Sequence, residues 1–228
     1  MRVLLAALLA LFDFGAVRAA EPLSDLPVHI TEPPGGVASA VVVFWSGDAG
    51  WSSSMQGIAD ALADRGYGVA GVSSLRYFWH KQAPEVMAED SARIASHFAK
   101  TWQTDRIVLV GYSFGADVLP FAWPHVPGTI REQTRLISLL SPFKKTEFEI
   151  SLMGMLGIVR GQHEVEPAIE ALPTDLVLCL TGEKETDMAC NLGGGYEIAS
   201  VPGGHSYDRN WALIANIIDN AVKQREEN

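Results

Sequence analysis

Short runs of β-branched and apolar residues alternate with longer segments of helical spacing, and this alternation constrains the fold of the chain more than any other feature. The run at 38–45 (ASAVVVFW) lacks the polar alternation of a half-exposed strand and indicates a strand buried on both faces. Further strands are predicted at 67–72, 106–110, 135–140, 176–180 and 196–201, and helices at 52–65, 84–102, 114–122 and 211–222. Such alternation builds parallel βαβ units. We therefore expect an α/β fold with a mostly parallel, doubly wound sheet flanked by helices. The segment 142–174 fits least well and is interpreted as a small lid or an irregular crossover.

The predicted strand at 106–110 runs into Gly111-Tyr-Ser113-Phe-Gly115 and then directly into a helix. G-x-S-x-G between a strand and a helix is the context of a nucleophile elbow, a sharp turn that exposes the serine hydroxyl above the sheet. Its glycines let the turn pack closely against neighbouring backbone. At the helix N-terminus, the dipole and the Phe114 N–H stabilise an oxyanion. Ser113 is the candidate nucleophile, and Phe114 is a candidate oxyanion-hole donor.

A serine nucleophile needs a general base, and His205 has the expected position for it. It lies in Pro202-Gly-Gly-His205, directly after the last predicted strand, and so completes the chain order serine, acid, histidine of α/β-hydrolases. His29 precedes the predicted sheet. The remaining histidines lie on predicted helices or loops in the wrong order: His80, His97, His125 and His163.

The acid that orients the histidine is expected in the loop 182–187 (GEKETD), which follows the predicted strand at 176–180. Three carboxylates compete there. Asp187 is favoured because Cys190 lies nearby, and a disulfide from Cys190 to Cys179 would hold this stretch against its strand. Glu185 is the alternative, because it is closer to Gly182.

A second oxyanion-hole donor is expected from the loop 46–51 (SGDAGW), which follows the first predicted strand. Its glycines allow backbone N–H groups to approach a substrate closely. The amide of Asp48 is the candidate donor. The alternative is an ordinary strand-to-helix turn.

The N-terminus has the pattern of a secretory signal peptide, with Arg2, an apolar run at 3–12, and the small residues Val17 and Ala19 before a cleavage site. We expect residues 1–19 to be removed and residues 20–228 to form one exported, soluble α/β-hydrolase domain, located in the periplasm. In an oxidising compartment Cys179 and Cys190 are expected to form a disulfide, the alternative being two buried free thiols.

The charge of the chain argues against nucleic acid as a partner. Seventeen Lys and Arg residues are scattered among 27 Asp and Glu residues, for a net charge of −10. A nucleic-acid-binding protein needs a basic face, and no run of Lys or Arg is present. Two cysteines are too few for a zinc ribbon, and neither a metal nor a cofactor is expected.

Several stretches together resemble the AcvB/VirJ family of exported, α/β-hydrolase-like virulence proteins: WSGDAGW (45–51), SLRYFW (74–79), GYSFGADVLPF (111–121), FEIS (148–151) and PGGH (202–205). The chain is one domain long and so is similar to the VirJ form. The resemblance implies an α/β-hydrolase fold, a periplasmic location, hydrolysis of lysyl-phosphatidylglycerol, and a link to virulence and type IV secretion. It places Ser113, Asp187 and His205 at the positions of nucleophile, acid and base.

A lysyl ester carries a cationic head, which an acidic lining would suit. Asp117 lies one helical turn beyond Ser113 on the same face, and the other candidate carboxylates are Asp48, Glu147 and Glu149. Arg76 and Tyr77 are candidate contacts to a phosphate or the membrane surface. The alternatives are exposed carboxylates and, for Tyr77, core packing.

A second function class stays open, because a fold does not settle a function. The chain is alternatively a non-enzymatic periplasmic adaptor that binds secreted proteins and type IV secretion components. The apolar segment 148–158 (FEISLMGMLGI) is a candidate docking patch or lipid-facing lid, or else part of the core.

Overall fold

The computed structural model describes residues 23–151 and 161–227 of the 228-residue chain. The predicted signal peptide at 1–19 and most of the segment 148–158 lie outside these residues. No helix in the described part is long and apolar enough to cross a bilayer.

The elements follow the predicted alternation. The strands are β1 (Val28–Thr31), β2 (Val41–Trp45), β3 (Gly68–Val72), β4 (Ile107–Tyr112), β5 (Thr134–Leu140), β6 (Lys145–Thr146), β7 (His163–Glu164), β8 (Val177–Gly182) and β9 (Glu197–Val201). The helices are α1 (Ser53–Ala63), α2 (Ser74–Tyr77), α3 (Pro84–Thr101), α4 (Phe114–Ala122), α5 (Gly128–Gln133), α6 (Val165–Glu170) and α7 (Trp211–Glu227).

Within residues 23–151 and 161–227, seven strands form the main sheet in the order β1-β3-β2-β4-β5-β8-β9. Among these seven, β1 is antiparallel to β3, and the other pairs are parallel. The expected α/β-hydrolase architecture is confirmed.

The expectation that His29 precedes the sheet is wrong, because His29 lies in the edge strand β1 and pairs with Gly71. β1 has four residues and is mostly half-buried, so it lacks the long apolar run of a central strand.

Both faces of the sheet are covered, and β2 shows how its sequence produces this. Every residue of β2 is buried, and successive side chains point to opposite faces. Val41, Val43 and Trp45 pack into a core with residues of α3 and α4. Val42 and Phe44 pack into a second core with residues of α1 and α7. Burial of each such side chain stabilises the fold by about 1.5–3 kcal/mol relative to exposure, which explains the unbroken apolar run.

The segment between β5 and β8 departs from the βαβ pattern, as its sequence indicates. Lys145 and Thr146 of β6 pair antiparallel with β7 as a separate two-stranded ribbon, and α6 follows. The backbone N–H of Ile150 donates to the carbonyl oxygen of Phe78 over 2.8 Å. This contact connects the segment to the residues that follow α2.

Candidate active site

Ser113 occupies a sharp turn between β4 and α4. Its backbone has φ 54° and ψ −122°, a strained conformation for a residue other than glycine. A Cβ on Gly111 would lie 2.5 Å from the carbonyl oxygen of Gly115, and one on Gly115 would lie 2.3 Å from that of Trp45. Both glycines of G-x-S-x-G are therefore required by close backbone contacts, and the turn has the geometry of a nucleophile elbow.

His205 follows β9 and lies against this serine. Its Nε2 is 2.9 Å from Ser113 Oγ, a hydrogen-bonding distance. The hydroxyl of Tyr112 donates to the carbonyl oxygen of His205 over 2.6 Å and fixes the loop. The rings of Tyr112 and Phe143 pack against the imidazole at centroid distances of 5.1 and 5.2 Å. The structure thus brings together the predicted nucleophile and the predicted base.

The carboxylate that faces the histidine belongs to Glu185. Its Oε1 is 2.6 Å from His205 Nδ1, and its Oε2 accepts hydrogen bonds from Ser141 Oγ at 2.5 Å and from the Gly182 N–H at 2.6 Å. Burial raises the pKa of Glu185, but the hydrogen bonds from His205, Ser141 and Gly182 outweigh it and hold the pKa below its usual range. Glu185 is therefore a carboxylate at neutral pH.

The prediction that Asp187 fills this position is wrong. The Asp187 side chain is 78% exposed and its Oδ1 pairs with Lys144 Nζ at 2.9 Å, whereas the Glu185 side chain is 6% exposed. The reason is a tight turn, in which the Glu185 N–H donates to the carbonyl oxygen of Gly182 over 3.0 Å. This turn folds Glu185 back over the end of β8, and Asp187 lies beyond it.

The disulfide between Cys179 and Cys190 is confirmed, with a Cα–Cα distance of 5.7 Å. It closes a loop that carries both acidic candidates, so its presence does not discriminate between them. The Ala189 N–H donates to the carbonyl oxygen of Pro142 over 2.8 Å and links this loop to the end of β5.

The two predicted oxyanion-hole amides lie beside the nucleophile. Phe114 is the next residue, at the start of α4. A Cβ on Gly47 would lie 3.4 Å from the Ser113 Cβ, so the loop that carries Asp48 packs against the elbow. Within the described part of the chain, neither the Phe114 N–H nor the Asp48 N–H has a hydrogen-bond acceptor. An oxyanion hole requires N–H groups without an internal acceptor, and both of these meet that requirement.

An acidic pocket of about 130 Å³ opens beside these two residues. Phe114, Lys145 and Ile150 line this pocket. So do the four carboxylates that the sequence analysis names as candidates: Asp48, Asp117, Glu147 and Glu149. Lys145 Nζ is paired with Glu164 Oε1 at 2.9 Å. Within residues 23–151 and 161–227, no Lys or Arg forms a salt bridge with any of the four carboxylates.

Asp117 differs from the other three carboxylates because it is buried, with 4% of its surface exposed. Burial raises the pKa of Asp117 well above its usual range. The Phe143 N–H donates a hydrogen bond to Oδ1 over 2.6 Å, which lowers the pKa but does not outweigh the burial. Asp117 therefore anchors the start of the irregular segment and places the Phe143 ring near the imidazole.

Tyr77 does not have its predicted role, and Arg76 lies away from the acidic pocket. The Tyr77 hydroxyl donates to Asp90 Oδ2 over 2.7 Å, and the ring packs edge-on against Trp45 in the core. Arg76 is exposed and lines a separate depression with residues 24–29. The single turn of α2 directs Tyr77 toward α3 and Arg76 toward the N-terminal segment, so neither contacts the acidic pocket.

Ser141 and Tyr207 are site residues that the sequence reasoning missed. Ser141 bonds to Glu185, and the Tyr207 hydroxyl lies 2.6 Å from Ser141 Oγ. The available signal is the position of Ser141, directly after the predicted strand at 135–140. Residues that follow neighbouring parallel strands meet at one edge of the sheet.

Solved structures share this fold over most of the chain. Est1E from Butyrivibrio proteoclasticus with bound ferulic acid is 13% identical, with a TM-score of 0.58 over 89% of this chain and 96% of that one. MenH from S. aureus is 13% identical, with a TM-score of 0.60 over 88% and 99%. A dienelactone hydrolase from Anabaena variabilis is 14% identical, with a TM-score of 0.59 over 86% and 90%. At these identities the likeness establishes the α/β-hydrolase fold alone.

Sequence comparison adds a family. No curated protein matches the sequence. A family model described as bacterial virulence protein (VirJ) matches residues 39–226, which include both elbow glycines, Ser113, Glu185 and His205.

Proposed function

Since this chain belongs to the VirJ family of bacterial virulence proteins, and has the α/β-hydrolase fold, we propose that it is a serine hydrolase of carboxylic esters. The observation that carries this proposal is the continuous hydrogen-bond chain from Ser113 Oγ to His205 and from His205 to Glu185. It joins a nucleophile, a general base and an orienting carboxylate in the arrangement that activates a serine.

The reaction follows from this geometry. His205 Nε2 takes the Ser113 proton as Oγ attacks the ester carbonyl carbon, and the carbonyl oxygen becomes an oxyanion facing the N–H groups of Phe114 and Asp48. Glu185 stabilises the imidazolium. The imidazolium then protonates the departing alkoxide and leaves an acyl-serine. Water, deprotonated by His205, attacks the acyl-serine and releases the carboxylic acid, and Ser113 regains its proton.

We propose an aminoacyl ester as the substrate, specifically the lysyl ester of lysyl-phosphatidylglycerol. The protein would hydrolyse this lipid from the periplasmic side of the membrane. The family resemblance supplies this candidate, and the acidic pocket supports a cationic acyl group. Asp48, Glu147 and Glu149 line the pocket next to the proposed oxyanion hole. Because Lys145 pairs with Glu164, the negative charge of these three pocket carboxylates is available to an ammonium group.

Lysine release from lysyl-phosphatidylglycerol in mixed micelles tests the proposal, with the wild-type protein beside Ser113→Ala. The wild type should release lysine and the variant should not. Labelling with a fluorophosphonate reports the reactivity of Ser113 independently of substrate choice. A wild-type protein that neither releases lysine nor takes the label would contradict hydrolysis and favour the adaptor function.

The acidic pocket is tested by comparing two esters. Glu147→Gln combined with Glu149→Gln should raise KM for the lysyl lipid and leave KM for p-nitrophenyl acetate, a small neutral ester, unchanged. Glu183→Gln removes an exposed carboxylate that does not line the pocket, and it is the matched control. Equal KM values for the lysyl lipid in all three proteins would reject the pocket as the ammonium site.

A further inference from the structure

Two buried hydroxyl groups lie behind the carboxylate of Glu185. Ser141 is fully buried, and Tyr207 is 1% exposed. Ser141 Oγ is 2.5 Å from Glu185 Oε2 and 2.6 Å from the Tyr207 hydroxyl. The proposed mechanism assigns neither hydroxyl a task. Together they extend the Ser113–His205–Glu185 chain into the interior of the protein.

The number of protons on these groups determines which group donates each hydrogen bond. Glu185 is ionised and only accepts hydrogen bonds, so Ser141 must donate its single proton to Oε2. Ser141 Oγ then accepts, and the Tyr207 hydroxyl is the donor. Burial raises the pKa of Tyr207 well above its usual range, so this hydroxyl keeps its proton. Each hydrogen bond in the series therefore polarises the next one toward the carboxylate.

The backbone holds both residues in unusual conformations. Ser141 has φ 51° and Tyr207 has φ 50°, in the left-handed region that residues other than glycine seldom adopt. The Ser141 N–H donates to the carbonyl oxygen of Leu180 over 2.7 Å, and the Tyr207 N–H donates to that of Gly204 over 2.8 Å. Strained residues of this kind persist where the surrounding structure fixes them, and they cluster at active sites.

We propose that Ser141 and Tyr207 are positioning residues for the ester hydrolysis inferred above. The hydroxyl chain from Tyr207 through Ser141 holds Glu185 Oε2 in place and so keeps Oε1 directed at His205. The inference rests on the proposed function for its kinetic consequences. It rests on the hydrogen-bond geometry alone for its effect on the imidazole.

The two hydroxyls are expected to contribute to kcat to different extents. Ser141→Ala removes a hydrogen bond to a charged group and leaves Oε2 with the Gly182 N–H alone. This should lower kcat by about 10- to 100-fold. Tyr207→Phe removes a bond between neutral groups and should lower kcat by about 3- to 10-fold. KM should not change, because neither residue lines the acidic pocket.

A double-mutant cycle separates positioning from general destabilisation. If Tyr207 acts through Ser141, adding Tyr207→Phe to Ser141→Ala should cost nothing further in kcat. The same substitution should be silent in a Glu185→Gln background. Tyr196→Phe is the matched control, because it removes a tyrosine hydroxyl that donates to the carbonyl oxygens of Glu170 and Leu172 and not to Ser141 or Glu185. Additive losses in kcat would overturn the inference.

The downfield proton resonance of His205 Nδ1–H provides a measurement that needs no turnover. It should shift in Ser141→Ala and in Tyr207→Phe and keep its wild-type position in Tyr196→Phe. An unchanged resonance in both test variants would refute the positioning role even if the protein hydrolyses esters. A shifted resonance supports the role even if lysyl-phosphatidylglycerol is not the substrate. If Ser141→Ala does not fold, Tyr207→Phe alone decides between these outcomes.

Discussion

Replacing Glu185 by glutamine should nearly abolish hydrolysis, and the hydrogen bonds of this residue show why. The substitution exchanges one carboxylate oxygen for an NH2 group, which must take the place of either Oε1 or Oε2. The Oε2 position faces the Gly182 N–H at 2.6 Å, a backbone donor that cannot reverse its direction. The NH2 group is therefore forced toward His205 Nδ1.

The consequence is the wrong imidazole tautomer. With Nδ1 accepting from the amide, the neutral ring carries its proton on Nε2, which then cannot take the Ser113 proton. In serine proteases with a Ser-His-Asp triad, changing the orienting carboxylate to an amide lowers kcat by about 10⁴-fold, and we expect a loss of about 10³- to 10⁴-fold here. The fold should survive, because glutamine keeps the size of the side chain.

Hydrolysis of p-nitrophenyl acetate by Glu185→Gln and Asp187→Asn provides the assay, with thermal unfolding measured on both. Asp187→Asn is the matched control, because it changes a carboxylate of the same loop that pairs with Lys144 at the surface. Its kcat should stay within about twofold of the wild type, since exposed ion pairs contribute little. A kcat for Glu185→Gln within tenfold of the wild type, or an equal loss in Asp187→Asn, would refute the reasoning.

Three further outcomes follow from the structure. Reducing the Cys179–Cys190 disulfide, which closes a loop with a sequence separation of 11, should lower the free energy of unfolding by about 3 kcal/mol; identical urea midpoints with and without reductant would contradict this. Gly115→Ala places a Cβ 2.3 Å from a backbone oxygen of β2 and should lower both Tm and activity, whereas Gly193→Ala, with no atom within 4 Å of the added Cβ, should leave both unchanged. Because the folded-state pKa of Glu185 is depressed, its contribution to stability is present above the ordinary carboxyl range and is lost as the pH falls through the folded pKa. The Tm difference between wild type and Glu185→Gln should therefore shrink as the pH falls, and a difference that grows would contradict that sign.

The identity of the acid in the site cannot be decided from the sequence. Strand ends and chain order are visible in the sequence, and they predict the loop after β8 as the place of the acid. The choice between Asp187 and Glu185 depends on a hydrogen-bonded turn at Gly182 that no local pattern reveals. The expected role of Tyr77 is wrong for a related reason, since the single turn of α2 decides which of its side chains is buried.

The edge strand β1 and the residues Ser141 and Tyr207 were missed because their signals are weak. β1 is short and half-buried, so it lacks the apolar run that identifies a central strand. Ser141 and Tyr207 lie 66 residues apart in the chain. They meet because β5, β8 and β9 lie side by side in the sheet, and Ser141 follows β5, Glu185 follows β8 and Tyr207 follows β9.

The parallel sheet, the elbow at Ser113 and the position of His205 can all be predicted from the sequence. These depend on periodicity, on glycines at fixed spacing and on chain order, which are local properties of the chain. Three features are visible only in the folded protein: Glu185 is the carboxylate that faces the imidazole, four carboxylates from different parts of the chain line one pocket, and two buried hydroxyls lie behind Glu185. Those features depend on distances between residues far apart in the chain, and such distances are set by how the strands and loops pack.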